Sequence, residues 1–236
     1  MDRLSLYLEK DDQVEKIHFE IRRMINAGYT ARDQEVVKKH VEELKKEGIP
    51  APESTPTAYG VNTRSIYLDN EIDEIEVIGN KTSGEAEFVL LCHGKDIYVG
   101  VGSDHTDREL EVASIIKSKQ ICPNLISRHV WDLKEARKDW DEMILRSWVK
   151  DDKGMKILYQ EAPLSKMMTP EDLMAFVKNK MDDKNLDGVV IYSGTIPILT
   201  EETNYNNYFE VELFNPKTGK KLGLTYGIKV LDYLKE

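Results

Sequence analysis

Apolar and polar residues alternate along the first stretch of the chain, LSLYLE, with the period of two that predicts a strand. The following VEKIHFEIRRMINAG reads as a second strand running into a short helix closed by Gly28. Between Thr30 and Lys46 the period lengthens: Val37, Val41 and Leu44 recur at helical spacing, and Gly48 and Pro50 stop the helix. IPAPESTPTAYG carries Pro50, Pro52 and Pro56 and therefore predicts a surface loop rather than a central element. The runs IDEIEVIG, GEAEFVLL and DIYVGVG are short, apolar and bounded by turn residues, as expected of a mainly antiparallel sheet system. Thr169 as N-cap, Pro170 in the first turn and the acids that follow predict a helix over PEDLMAFVKNKMDD. GVVIYSG, YFEVELFNP and KLGLTYGIKVL return to strand patterns, the last two joined by a PKTGK turn. The expected class is β-rich α+β, with residues 1–236 forming one domain. Within it, residues 1–60 supply N-terminal strands, a helix and a loop, and residues 61–236 supply a β-rich core.

Composition narrows the class of partner. A formal charge of -10 lacks the basic face that a nucleic-acid footprint needs, which leaves a small molecule as the expected partner. The lysines of KKHVEELKK alternate with glutamates as on a solvated helix face. No apolar run approaches the roughly 20 residues of a membrane span, and MDRLSLYLEKDDQVEK has no signal-peptide pattern, so a cytoplasmic protein is expected. Cys92 and Cys122 have no disulfide or zinc spacing and read as buried thiols, while Trp131, Trp140 and Trp148 read as packing residues. No Walker loop, GxGxxG or GxSxG occurs, so nucleotide and serine-hydrolase chemistry has no warrant.

Candidate chemistry concentrates between Ser83 and Pro123. Glu85 and Glu87, two apart on an expected strand, share one face, and Asp104 follows the next strand at a turn from which it can reach across. Carboxylates this close repel unless a cation lies between them. Such hard oxygen donors suit Mg2+, Mn2+ or Ca2+ rather than zinc. Arg108 can make a bidentate contact with a substrate carboxylate, and of Lys117 and Lys119 one can face the site while the other reaches water. Blander readings compete: an E-x-E pair on a solvated strand face, and a helix start capped by Ser103 or Thr106 with Asp107 and Glu109 complementing its dipole. His40 reads as a helix histidine packed against Val37, Val41 and Leu44, and His105 as a partner of a metal carboxylate or as a base.

The order E-x-E, then SDHTDRELE, then KSKQICP resembles the core of the fumarylacetoacetate hydrolase superfamily, whose members carry NDxSARDLQ-like and KSFDTFCP-like runs. HVEEL beside a proline-rich loop resembles that family's lid, and GVVIYSGTIP and YQEAPLSKM are similar to its glycine-threonine-proline strand end and glutamine-to-methionine run. The likeness spans roughly residues 28–230. Closer still, AGYTARDQE, SGEAEFVLL, GSDHTDRELE, KSKQICP and YQE resemble a bacterial family of this length whose members are catalogued as uncharacterised. The resemblance implies a mixed β-roll or sandwich with flanking helices and an N-terminal lid. It further implies Glu85, Glu87 and Asp104 as ligands of Mg2+, or of Mn2+ or Ca2+. Arg108, Gln160, Gly194 and Thr195 would contact substrate, and His40, Glu43 and Lys117 would act in catalysis. The implied reaction is metal-dependent C–C hydrolysis of a small anionic oxo or dioxo acid through a stabilised enolate. Decarboxylation, tautomerisation and non-catalytic binding of metal and acid are the alternatives, and a homodimer is implied. The chain departs from the pattern at Gln34, where a simple lid alignment has histidine. It departs again at Tyr59–Val61 in place of a lysine, and at KSKQ, which lacks the aromatic residue and Asp of KSFD.

Overall fold

A computed structural model of the chain describes all residues except 1–2, 11–12, 47–51, 53, 70 and 234–236, and it leaves aside the side chains of residues 40 and 43–46. The strands form a ten-stranded sheet, a five-stranded sheet and a two-stranded ribbon. Centrally in the larger sheet, Ala86–His93 and Asp96–Asp104 make an antiparallel hairpin in which Ala86 faces Ser103 and Glu87 faces Gly102. Every residue of Ala86–His93 except the last is buried. Its two faces serve different cores. Phe88 and Leu90 join Leu145, Phe209, Val211 and Tyr226 between the two sheets. Val89 and Leu91 join Leu4, Leu6, Phe19, Ile66 and Val190, all from strands of the same sheet or residues bounding them, so that sheet curls over on itself. A strand buried on both faces needs no alternation, which is why GEAEFVLL reads as a continuous apolar run.

Most pairings are antiparallel, as the pattern predicts, but the system is mixed: Arg3–Lys10 with His129–Asp132, Arg23–Gly28 with Val189–Tyr192, and Glu74–Val77 with Lys221–Val230 are parallel. The short helix expected before Gly28 is instead the strand Arg23–Gly28, flanked by Val189–Tyr192 on one side and Thr57–Val61 on the other. Burial on both faces erases its period of two, and the residual spacing imitates a helix. The next helix spans Gln34–Lys46 and starts later than Thr30, because the Asp33 carboxylate accepts the backbone N–H groups of Glu35 and Val36. The proline-rich segment ends in a strand, Thr57–Val61, at the sheet edge, where proline-containing chain is tolerated.

Pro170–Lys180 is helical with Thr169 as its N-cap, and Tyr208–Phe214 pairs with Lys221–Val230 across the expected turn. Cys92 and Cys122 are free and buried, and Trp131 and Trp140 lie in the core. Among the described residues no helix is long and apolar enough to cross a membrane.

Candidate metal centre

The hairpin brings three acids together at the open end of the Ala86–His93 strand. Asp104 donates its backbone N–H to the Glu85 carbonyl at 3.2 Å, which sets the two ligating positions opposite each other. Glu87 projects from the same edge. One carboxylate oxygen from each of Glu85, Glu87 and Asp104 lies within 4.8 Å of the other two. Glu87 Oε2 accepts the Gly194 N–H at 2.8 Å, whereas Glu87 Oε1 and Asp104 Oδ1 are buried without a hydrogen-bond partner among the described residues. Buried carboxyl oxygens without a partner, beside a third carboxyl group, are costly unless a proton or a cation satisfies them. An all-carboxylate donor set of this size fits a hard divalent ion.

Two protein cations already lean on this cluster. Lys119 Nζ donates to Glu85 Oε2 at 3.2 Å and to Asp104 Oδ2, and the Arg108 guanidinium meets Glu85 Oε1 at 2.9 Å. Arg108 is itself held by Ser83 Oγ at 2.7 Å and Glu111 at 2.9 Å, so it stands at the rim as part of a network rather than as a lone anchor. These contacts split the acids electrostatically. Burial works to raise Glu85, but Lys119 and Arg108 outweigh it and hold the carboxyl at about 2. Burial, with Asp104 and Glu85 adding to it, pushes Glu87 well above the usual carboxylate range. Asp104 is raised to about 6 by burial, against the pull of Lys119. Burial opposes the charge of Lys119, yet Asp104, Glu85 and Glu87 together lift its affinity for the proton above the ordinary lysine value.

The pH dependence of the metal-free protein follows. Asp104 and Glu87 hold protons more tightly folded than unfolded, so both contributions are complete in acid; that of Asp104 is lost as pH rises from its ordinary 3.8 through about 6, and that of Glu87 is lost as pH rises above its ordinary 4.5. Glu85 acts oppositely, contributing above its ordinary 4.5 and losing that contribution as pH falls towards about 2. Melting temperatures of the metal-free protein are expected to fall from mildly acid to neutral pH more than those of Asp104→Asn. Identical slopes for the two proteins would refute this assignment.

The residues singled out by sequence fall into three groups. Glu85, Glu87, Asp104 and Arg108 converge. Gly194 joins them through its N–H; its φ of +84° suits glycine, and a Cβ there would lie 2.5 Å from Thr30 Oγ1. Gln160 and Thr195 sit behind the cluster and face each other. The Gln160 amide accepts from Ala86 N–H and Ser147 and donates to Thr195 Oγ1 and the Ile196 carbonyl, while Thr195 Oγ1 also donates to the Ala86 carbonyl. Their polar groups are thus engaged in fixing Ala86, between the two glutamates.

Lys117 is a correction. It is exposed on the helix Ile115–Ile121, and Lys119 fills the position assigned to it. Two residues along a helix rotate a side chain by roughly 200°, so only one of the pair can point inward. The readable signal was the face shared by Ile115, Lys119 and Cys122 at i, i+4 and i+7. The helix Arg108–Ala113 is capped by Asp107, whose carboxylate accepts the Leu110 N–H, and not by Ser103 or Thr106. His105 is buried and bonded at both ring nitrogens, to Tyr226 and Thr82, and burial, aided by Arg108, depresses it to about 3 and favours the neutral imidazole. The side chains of His40 and Glu43 lie outside the described residues, though their backbone belongs to the helix Gln34–Lys46.

This architecture recurs in solved enzymes. A 2-keto-3-deoxyarabinonate dehydratase superposes with a TM-score of 0.63 at 13% identity, covering 94% of this chain and 86% of that one. A 5-carboxymethyl-2-hydroxymuconate delta-isomerase from Mycobacterium smegmatis gives 0.61 at 15% identity, covering 97% and 98%. A 4-oxalocrotonate decarboxylase from Pseudomonas putida G7, complexed with calcium and acetate, gives 0.54 at 12% identity, covering 88% and 76%. The curled sheet packed on a second sheet is thus a fold shared with these enzymes, and it is the β-rich α+β architecture that the fumarylacetoacetate hydrolase resemblance implied. No curated protein matches the chain in sequence. The chain belongs to DUF2848, a family described as a protein of unknown function, whose profile matches residues 27–226.

Proposed function

We propose that this protein is a divalent-metal-dependent enzyme acting on small oxo acids, with Glu85, Glu87 and Asp104 as its metal ligands. The observation that carries the reading is the pair of buried, unpartnered oxygens, Glu87 Oε1 and Asp104 Oδ1, in a cluster where Glu85, Glu87 and Asp104 each bring a carboxylate oxygen within 4.8 Å of the other two. A bound Mg2+, or Mn2+ or Ca2+, would supply Lewis-acid polarisation of the carbonyl and adjacent oxygens of such a substrate. The names of the superposed proteins, an isomerase, a dehydratase and a decarboxylase of oxo acids, agree with that chemistry and do not choose among reactions.

The chain's own residues divide the remaining work. Glu87, which holds a proton in the metal-free protein, would bind the ion as a carboxylate and release that proton to solvent. Lys119 Nζ neutralises Asp104 and Glu85 and keeps their oxygens aligned, and Arg108 at the rim receives the anionic end of the substrate. Gly194 N–H fixes the Glu87 carboxylate, and Thr195 and Gln160 lock the strand between the ligands. Within this reading, C–C hydrolysis of an acylpyruvate-like acid is the first choice, with His40 assisted by Glu43 taking the proton from water. Decarboxylation or tautomerisation needs no such base. A homodimer in the cytoplasm accompanies the proposal.

Calorimetric titration of the chelator-stripped protein with Mg2+, Mn2+ and Ca2+ tests the first half. The second half is tested by following metal-dependent loss of absorbance from acylpyruvates and oxaloacetate. Turnover of at least one acid that stops with chelator is expected. A ligand-dependent rise in melting temperature without turnover assigns a binding protein instead, and an absence of metal binding removes the proposal.

A further inference from the structure

Glu85 is gripped by a buried chain of hydrogen bonds that reaches the second sheet. Its backbone N–H donates to Ser103 Oγ at 3.2 Å, and Ser103 Oγ lies 2.9 Å from the Tyr226 hydroxyl. The Tyr226 hydroxyl lies 3.0 Å from His105 Nδ1, and His105 Nε2 lies 2.9 Å from Thr82 Oγ1. The participating side chains come from three segments: Ser103 and His105 flank Asp104, Thr82 lies in the ribbon strand Thr82–Ser83, and Tyr226 lies in Lys221–Val230 of the five-stranded sheet. Ser103, His105, Thr82 and Tyr226 are each buried, which shields these hydrogen bonds from bulk solvent.

Either hydroxyl of the Ser103–Tyr226 pair can donate, and the tautomer of His105 sets which way the protons run from Thr82 to Ser103; in both directions every link of the chain is a hydrogen bond. Aligned donors of this kind reinforce one another in a low-dielectric interior. Steric contact acts at the same point: a Cβ on Gly84 would lie 2.6 Å from the Tyr226 hydroxyl and 2.5 Å from the Phe209 ring, so the second sheet presses directly on the residue before Glu85.

We propose that Tyr226 and His105 are positioning residues for the metal centre, holding the Glu85 backbone through Ser103 so that its carboxylate meets those of Glu87 and Asp104. The inference rests on the metal-site reading above. It assigns the five-stranded sheet a part in metal affinity although that sheet contributes no ligand.

The test compares the full chain with Tyr226→Phe, which keeps the ring and removes the hydroxyl. Mn2+ binding is measured by calorimetry and by the electron paramagnetic resonance line shape of the bound ion. Loss of an outer-shell partner typically weakens metal binding about 10–100-fold, and the variant is expected to lose affinity in that range with a broadened, altered Mn2+ spectrum. Its metal-free far-ultraviolet circular dichroism should match the parent. Should Tyr226→Phe fail to fold, Ser103→Ala is judged by the same readouts. A variant that melts lower but binds Mn2+ with parental affinity and spectrum overturns the inference, since the network is then merely structural. Failure of the parent to bind Mn2+ overturns the metal-site reading itself, and this inference with it.

Discussion

A Glu87→Gln protein should lose Mg2+ and Mn2+ binding while its metal-free form remains at least as stable as the parent at neutral pH. The two effects have opposite sign because one group causes both. Glu87 is fully buried, and burial together with Asp104 and Glu85 disfavours its charge. A neutral amide of the same shape relieves that cost, and its oxygen can still accept the Gly194 N–H that Glu87 Oε2 accepts now. The same neutrality removes an anionic donor from an ion that would have three protein carboxylates within reach among the described residues. Because outer-shell changes alone cost about 10–100-fold, loss of a ligand should exceed about 100-fold and abolish turnover. Paired calorimetry and thermal melts read both effects. Metal affinity within a few-fold of the parent would remove Glu87 from the ligand set, and a large fall in metal-free stability would contradict its electrostatic assignment.

Lys119→Met is expected to do the reverse. The Lys119 side chain is 7% exposed and contacts Asp104, whose side chain has no exposure at all. Removing one partner of a buried pair leaves an uncompensated charge and typically costs about 3–5 kcal/mol. Asp104 is already raised to about 6, so it can escape part of that cost by taking a proton, and the loss should shrink in acid and grow towards alkaline pH. Saturating Mg2+ should recover most of the lost stability, because a dication placed among the acids replaces the missing ammonium. Lys117→Met serves as the comparison: that residue is exposed, and the variant should melt like the parent. Denaturant titrations with and without Mg2+ measure the difference. Equal stabilities for the two methionine variants would show that Lys119 does not neutralise the cluster.

Much of this architecture was legible before folding was considered. Strand alternation in LSLYLE, the Thr169–Pro170 helix start and the PKTGK turn depend on neighbours in sequence, and each appears where the pattern put it. So does the shared face of Glu85 and Glu87, which follows from strand periodicity once the strand is recognised. Arg23–Gly28 was not legible, because a strand buried on both faces loses the alternation that marks it. The choice between Lys117 and Lys119 lay in a helical phase that a short motif match does not carry.

Which groups are available is already set by the sequence: Glu85, Glu87, Asp104, Arg108, Lys117 and Lys119 stand among the seven carboxylates, one arginine and three lysines of Ser83–Pro123, in a chain of formal charge -10. How those groups divide is set by tertiary packing. Local periodicity is a property of a few covalently linked residues, whereas the pKa of Glu87, the orphaned oxygen of Asp104 and the inward Lys119 depend on burial by both sheets. Tyr226, remote from the motif in sequence, is the clearest case. Its hydroxyl meets Ser103 only because the five-stranded sheet packs against the hairpin, and nothing in the pattern around Tyr226 announces that contact.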